Sequence, residues 1–530
     1  MTFSGCMIQG AATNKGWWRR WLRRILVVRL PVGFFNWRIT VGAAVAFQRW
    51  QEGRLQARPA GGLRLTKVCA MTGFAVIFCG CAHFHPKPIS AEQTQEDFGS
   101  RSLSDPGLAK FMASNHEAAN PAAWDLKTLT LVAFYYRPAL AEARAQLLAS
   151  QAAAITAGQR PNPGVTVTPG YDNQIPGAPS SWIVPINFDL PIETAGKRKK
   201  RVVQAEHLAE AARWNLVGAV WQTRSQIRAA LVNYYYARQL GALLALQEAA
   251  QSNIVRLLEG QMAAGSISEV LVTQAQIELD TTQLAEQDAL GRFRQAQVDL
   301  AHALGLPTPA LEKAEISFGT LERLPENLTR ADIRRQALVN RADVRGALSE
   351  YQASQSALQL EIANQYPDVR LGPGYGWNTG SAGDNEWTLG LTITLPLLNH
   401  NQGPVAEAEA KRAQAAAHFL RVQSDAEAEI DGALAGYKAA LAQMATAKRL
   451  LGNLTRRLNS VRALEQSGES DPLAVATAEA AFRTGQQSEL DSLLKTQQAL
   501  GLLEDAVESP LTLSAESVNA AEGVSANILP

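Results

Sequence analysis

Cysteine is almost missing from this chain. Among 530 residues there are four, Cys6, Cys69, Cys79 and Cys81, and none follows residue 81. Beyond that point no two thiols exist to form a disulfide. Gly-x-Ser-x-Gly, a Walker loop and a Cys/His cluster are also missing, which removes the common hydrolase, nucleotide-binding and zinc readings and leaves no basis for an enzyme. No long hydrophobic run appears past residue 81. A membrane-spanning helix needs about 18–20 consecutive apolar residues, and a chain that is 46% hydrophobic and 19% charged is too polar to be a bundle of such helices. An excess of one charge is missing as well, since the net charge is only +1. That balance hides a split. Residues 1–67 hold 12 Lys/Arg against the single acid Glu52, or +11, which leaves −10 for the rest. A nucleic-acid binder keeps its basic patch in the folded part, so that class is excluded.

The N-terminal region reads as targeting sequence. Arg64 and Lys67 flank Val68–Gly80, a small and apolar stretch with the length of a signal h-region. It ends Phe78-Cys79-Gly80-Cys81, which resembles a bacterial lipobox, although Phe78 stands where Leu is usual. The resemblance implies cleavage before Cys81 and acylation (palmitate included) of its thiol; an ordinary signal peptide with an incidental cysteine is the alternative. Residues 1–63 carry the basic aromatic run Trp17-Trp18-Arg19-Arg20-Trp21-Leu22-Arg23-Arg24. They read as an extension from a start codon called too early, or as an interfacial anchor. Residues 82–120, with Pro86, Pro88, Pro106 and many Ser, Glu and Asp, read as a tether with little core. His83 and His85 lack a third ligand for a metal site.

The rest of the chain repeats. Arg137 matches Arg341, Pro163 matches Pro367, and Pro169-Gly170-Tyr171 matches Pro373-Gly374-Tyr375, all at one offset. Trp182 with Trp387, Leu190-Pro191 with Leu395-Pro396, and Ala264-Gly265-Ser266 with Ser467-Gly468-Glu469 follow within one residue of it. Ordered matches at a near-constant spacing indicate two copies of one unit. Each copy reads as helix, two strands, then two very long helices. The expected division is a basic extension at 1–63, a lipoprotein signal peptide at 64–80, a lipidated tether at 81–123, repeats at 124–316 and 317–508, and a disordered tail at 509–530.

Helical segments are expected over 125–158 and 330–364. The clearest strands follow. Trp182, Val184, Ile186, Phe188 and Leu190 alternate with Ile183, Pro185, Asn187 and Asp189, and Trp387, Leu389, Leu391, Ile393 and Leu395 alternate with Thr388, Gly390, Thr392 and Thr394. One face is wholly apolar and led by Trp, as in a lipid-facing transmembrane β-strand with an aromatic girdle. Pro185 suggests a bulge. Weaker partner strands hold Val165 and Val167, then Val369 and Leu371, and Asp172–Ser180 and Asn378–Asn385 read as hairpin loops. Four strands cannot close a membrane barrel, and unpaired edges are not tolerated in lipid, so several chains must pool their strands. A soluble amphipathic hairpin is the alternative, marginal on its own.

Long helices without proline are expected over 197–262, 268–304, 405–466 and 473–505. Val270, Ile277 and Leu284 recur at heptad spacing and predict coiled-coil packing. The turns between the paired helices carry Gly265-Ser266 and Gly468-Glu469. Glycine allows a tight turn, and Ser268 and Asp471 stand where N-caps belong, with Pro472 at the first helical position. Glu469, Asp471 and Glu479 are candidates for an acidic entrance.

Thr128–Arg160, Leu190-Pro-Ile-Glu-Thr-Ala-Gly-Lys-Arg198 and Leu395-Pro-Leu-Leu-Asn-His-Asn-Gln-Gly-Pro-Val-Ala-Glu-Ala-Glu409 are similar to segments of the TolC-type outer-membrane factor family, in its lipidated branch. The resemblance covers about residues 81–508. It implies a mainly α fold with a small transmembrane β part, in a homotrimer that shares a twelve-stranded barrel and a long periplasmic α-helical barrel. It further implies passive conduction of drugs or metal ions, with an inner-membrane transporter (RND type) and a periplasmic adaptor, or membrane fusion protein, as partners. The implied location is the outer membrane, lipid-anchored and reaching into the periplasm, with no cofactor. On that resemblance the adaptor docks at the tips, Gly265, Ser266, Gly468 and Glu469. Two other readings stay open. A type I secretion duct has the same fold, and a coiled-coil adaptor lipoprotein has similar hairpins but no need for the Trp-led strands.

Overall fold

A computed structural model describes residues 84–118, 121–172, 181–312, 314–319, 321, 324–325, 328–378 and 385–511. Cys81, His83, most of both hairpin loops and residues 512–530 lie outside these. Residues 89–530 cluster as one unit, and the fold described is theirs.

The elements repeat in order. In the first copy α3 (Leu126–Tyr136) and α4 (Pro138–Ala157) precede β1 (Gly164–Val167), β2 (Gly170–Asp172) and β3 (Ser181–Ile192), and then α5 (Lys197–Ala263) and α6 (Glu269–Leu304). In the second, α7 (Arg330–Asn340) and α8 (Ala342–Asn364) precede β4 (Val369–Asn378) and β5 (Glu386–Ile393), and then α9 (Gln402–Gln466) and α10 (Pro472–Val507). The 67 residues of α5 span about 100 Å at 1.5 Å per residue. Both expected leading helices are in fact split, at Arg137 and Arg341. Each of these arginines is extended, caps one helix and starts the next. Pro138 explains the first break, because the residue before proline is pushed out of helical geometry.

The expected tether is only partly that. It contains α1 (Ala91–Ser100), N-capped by Ser90, and α2 (Pro106–Ser114), N-capped by Asp105 with Pro106 at the first turn. Leu108 and Met112 of α2 are fully buried. They sit one turn apart, so a short amphipathic face docks onto the first repeat despite the polar composition around it.

Core packing follows the repeat. Leu129, Ala133, Ile227, Leu231, Leu300 and Leu304 form one core, and Ile333, Ala337, Ile430, Leu434, Leu503 and Val507 occupy the matching places in a second. Helix α5 packs on α4, α6, α8 and α10, and α9 packs on α8 and α10. The long helices therefore follow one another as α6–α5–α10–α9 toward the tips and as α4–α5–α8–α9 toward the sheet. Among the described residues the outermost helices at both levels lack a neighbour on one side. Val270 and Leu284 on α6 are both 73% exposed. The Val270, Ile277 and Leu284 stripe is thus open within this chain, while Ala275, Leu279 and Ala289 face α5.

The copies differ where their last helices end. Helix α6 ends on Gly305 (φ +74), packed against the backbone of Tyr136 at the end of α3, two residues before Pro138 opens α4. Helix α10 ends on Glu508, a non-glycine residue at φ +50, whose carboxylate accepts the N–H of Ala342, the first residue of α8, at 2.7 Å. Burial, with Asp343 and Asp505 also near, pushes the Glu508 carboxyl up to about 7. The folded chain therefore keeps a proton between about pH 4.5 and 7 that the unfolded chain has lost, so this group's contribution to stability falls as pH rises through that window and is constant above it. Glu508→Gln keeps an oxygen for the Ala342 N–H and removes the titration. Thermal melts are expected to show Glu508→Gln more stable than the parent by roughly 2–3 kcal/mol at pH 8 and level with it at pH 4.5. Parallel melting profiles across the window would refute this.

Candidate functional site: an apolar sheet face and two helical tips

The strands form one antiparallel sheet in which β1 and β2 both pair with β3, β3 with β4, and β4 with β5. Because β1 and β2 lie end to end along β3, the sheet is four strands wide. The central pairing, β3 with β4, joins the two copies. The register holds from Ile183↔Asn378 to Ile192↔Val369 without a shift. Pro185 therefore makes no bulge. It lacks a donor, but its carbonyl accepts Thr168 N–H, and the two short strands β1 and β2 are interrupted opposite it.

Residues directly opposite in an antiparallel ladder share a face. Tyr171 opposes Trp182, Val184 opposes Trp377, Ile186 opposes both Val167 and Tyr375, and Leu190 opposes Leu371. Tyr375 opposes Trp387, Pro373 opposes Leu389, Leu371 opposes Leu391, and Val369 opposes Ile393. All eight candidate lipid-facing residues, Trp182, Val184, Ile186, Phe188, Trp387, Leu389, Leu391 and Ile393, thus stand on one continuous face with no polar residue among them. All but the half-buried Val184 are exposed, with Trp387 at 81%, Leu389 at 76% and Leu391 at 61%. The reverse face is mixed, with Ile183 and Pro185 at one end and Thr166, Asn187, Asp189, Arg370, Gly372, Gly374, Thr388, Gly390 and Thr392 elsewhere, and it carries an Arg370–Asp189 ion pair at 2.9 Å. Aromatic contacts repeat with the copies. Tyr171 meets Trp182 at 5.2 Å between ring centroids, and Tyr375 meets Trp387 at 4.7 Å. The tyrosines and Trp377 were not among the sequence candidates, although the Pro-Gly-Tyr repeat pointed at two of them.

At the far end of the helices both turns have one geometry. Gly265 N–H bonds Met262 O and Ser266 N–H bonds Gln261 O, and Gly468 N–H bonds Glu465 O and Glu469 N–H bonds Leu464 O. This paired pattern closes a helix on a left-handed residue, and Gly265 and Gly468 have φ of +71° and +80°. Ser266 also bonds Gln261 O through its hydroxyl. Ser268 occupies the N-cap position but its side chain makes no capping bond, whereas Asp471 accepts Leu473 N–H at 3.1 Å. Gln261 Nε2 donates to Asp471 at 3.0 Å, tying the two tips together, a link between copies that no local pattern reveals. Of the three candidate acids, Glu469 is exposed and Asp471 caps α10. Glu479 lies between Arg483 at 3.3 Å and Arg462 at 3.6 Å, so its charge is largely matched.

Between sheet and tips, buried charges join the copies. Glu504 of α10 is fully buried against Arg224 at 3.2 Å and Arg228 at 3.3 Å, both on α5. Arg228 also donates to the backbone carbonyl and side-chain oxygen of Gln497, each at 2.8 Å. Burial lowers the Arg228 pKa, opposed by Glu504. Among the described residues no group of three His, Cys, Asp or Glu is placed to hold a metal ion, and no helix is long and apolar enough to cross a membrane.

Comparison with known proteins gives a consistent answer. Residues 133–306 and 333–507, more than half of the chain and one stretch per copy, match the outer membrane efflux protein family. The cobalt-zinc-cadmium resistance protein CzcC of Cupriavidus metallidurans is 27% identical over 229 residues, 43% of this chain and 54% of that protein. The pyoverdine export outer membrane protein OpmQ of Pseudomonas aeruginosa is 27% identical over 265 residues, 48% of this chain and 50% of that protein. The chain thus spans about half the length of these curated relatives. The crystal structure of the outer membrane protein VceC of Vibrio cholerae superposes with a TM-score of 0.60 at 20% identity, covering 72% of this chain and 96% of that one, which establishes a shared fold. The repeated architecture, the one-sided sheet and these matches together show that the chain belongs to the outer membrane efflux protein family, a family of outer-membrane transport proteins rather than enzymes.

Proposed function

We propose that this chain is the outer-membrane duct of a tripartite efflux assembly and conducts solutes passively. The observation that carries the reading is the sheet. It has one wholly apolar, uncovered face, and its two outer strands, β1/β2 and β5, have no partner on their far sides among the described residues. Unpaired edges are not tolerated in lipid, so the sheet must close with others. Three chains give twelve strands in one barrel, and the open flanks of α6, α4 and α9 meet those of the next chain in a helical barrel below it. Solute passes from an inner-membrane transporter of RND type through an adaptor seated on the tips. The names of CzcC, for cobalt, zinc and cadmium resistance, and OpmQ, for pyoverdine export, support metal ions or other small solutes as the class carried. Cys81 supplies a lipid anchor. Labelling with a palmitate analogue is expected and should vanish in Cys81→Ser.

The tips give the test. A Cβ added at Gly265 or Gly468 meets nothing within 4 Å, so a large side chain there projects outward and strains only its own backbone, by roughly 1–3 kcal/mol. Gly265→Trp and Gly468→Trp should leave trimer level and outer-membrane location near the parent's while efflux and adaptor cross-linking are lost. Normal cross-linking with normal efflux would show that the tips are not the docking surface.

A further inference from the structure

We infer that the helix-side rim of the sheet binds the phosphate groups of anionic phospholipids through Arg198 and Lys199 at the start of α5, with Arg160 just beyond α4. The inference rests on the reading that the apolar sheet face meets lipid.

Helix α5 opens Lys197-Arg198-Lys199-Lys200-Arg201, with no acid in its first turn. Cations at a helix N-terminus face the positive end of the helix dipole and are disfavoured there. Five in a row need compensation. Three have it inside the chain: Lys197 is buried against Asp368 at 2.8 Å, Arg201 pairs with Glu193 at 2.5 Å, and Lys200 donates to Gln359 O at 3.1 Å. Among the described residues Arg198 and Lys199 have no carboxylate partner, and Lys199 and Arg160 are exposed.

Their place in the fold identifies the missing anion. The apolar face ends in a row at Ile192, Val369 and Ile393, which lie side by side in the sheet. Lys197 follows Ile192 by five residues. If that face meets the hydrocarbon, the basic run stands at the level of the head groups, where each Lys or Arg near an anionic surface gains about fivefold in binding. The fold does not demand these cations, since α9 starts in the matching place of the second copy with Gln402-Gly403-Pro404-Val405-Ala406. They are also confined to one end. At the opposite ends of the strands, 172–181 and 378–386 contain Asp172, Asp384 and Glu386 and no Lys or Arg. Positive charge that continues an apolar face fits a lipid with an apolar tail and an anionic head.

The test uses the full chain reconstituted in nanodiscs of phosphatidylglycerol or of phosphatidylcholine, with retained lipid counted by native mass spectrometry. The parent is expected to retain phosphatidylglycerol preferentially. Arg160→Gln, Arg198→Gln and Lys199→Gln together should reduce that retention by about fivefold per cation removed, with insertion unchanged, and Lys448→Gln on the exposed side of α9 should not. Equal retention of both lipids by the inserted parent, or unchanged retention in the triple variant, overturns the inference while leaving the duct reading standing. A change in the channel's ion selectivity without a change in retention places the cations inside the duct and also overturns it. A parent that enters neither nanodisc refutes the lipid-facing sheet itself.

Discussion

Leu391→Arg is expected to cost about 2–4 kcal/mol per chain and to deplete the proposed trimer, while Thr388→Arg, three residues away on the same strand, leaves it nearly intact. Leu391 stands opposite Leu371, with Leu389 and Ile393 as its neighbours on the same face, and no polar group is near to receive a guanidinium. At the middle of a bilayer that charge has neither water nor a partner. Thr388 opposes Gly374 on the reverse face, among Thr, Asn and Gly, where an added Arg meets water in the proposed duct. Thr392 is the poorer control because it opposes Arg370, and like charges directly opposite repel. Urea unfolding from bilayers and heat-resistant trimer on gels give the comparison. Equal losses from the two variants would refute the assignment of faces.

Removal of Glu504 should act on the helices with equal force. Glu504→Ala leaves Arg224 and Arg228 without the carboxylate that each contacts within 3.3 Å. Breaking a buried pair by deleting one partner costs about 3–5 kcal/mol, chiefly because a charge is left buried and unmatched. Here two are left. The damage falls on the packing of α5 against α10, the seam between copies, so the melting transition of the solubilised protein should drop sharply. Replacing the group together, Glu504→Leu with Arg224→Met and Arg228→Met, should recover much of the loss, since apolar substitutes of similar volume are often as stable as a buried ion cluster. A loss below about 1 kcal/mol for Glu504→Ala would mean that water reaches these arginines.

The long helices were legible almost to the residue because their signals are local. Proline is absent from their interiors, and Gly265 and Gly468 punctuate the turns. The apolar face of β3 and β5 was legible for the same reason, since alternation at period two survives in Trp182–Leu190 and Trp387–Leu395. Strands β1, β2 and β4 were faint because Pro169, Pro373 and the glycines at 372, 374 and 376 interrupt the pattern. What remained hidden is non-local. Nothing near β3 states that its central partner is β4 of the other copy, or that Gln261 reaches Asp471. The burial of Arg224, Arg228 and Glu504 depends on two helices some 280 positions apart. Helix α2 was hidden differently: Asp105-Pro106 is a helix start and Leu108 and Met112 share a face, but the polar surroundings outweighed them.

The contrasting helix ends, Gly305 against Tyr136 and Glu508 on the Ala342 N–H, bear on how the two halves of the gene have drifted apart. Proline at 138 offers no N–H, so a carboxylate at the matching end of α6 has nothing to cap there, and glycine serves. Alanine at 342 exposes an N–H, and the Glu508 carboxylate takes it. Each state is self-consistent; the mixtures are not. Putting Glu at 305 adds a left-handed side chain packed tightly against Tyr136 with no N–H at Pro138 to accept from, and putting Gly at 508 leaves the Ala342 N–H without its acceptor. A lineage passing from one state to the other crosses a less stable intermediate unless both codons change together. The two sites therefore evolve as an epistatic pair, and exchanging single residues between the halves should fail where exchanging both succeeds.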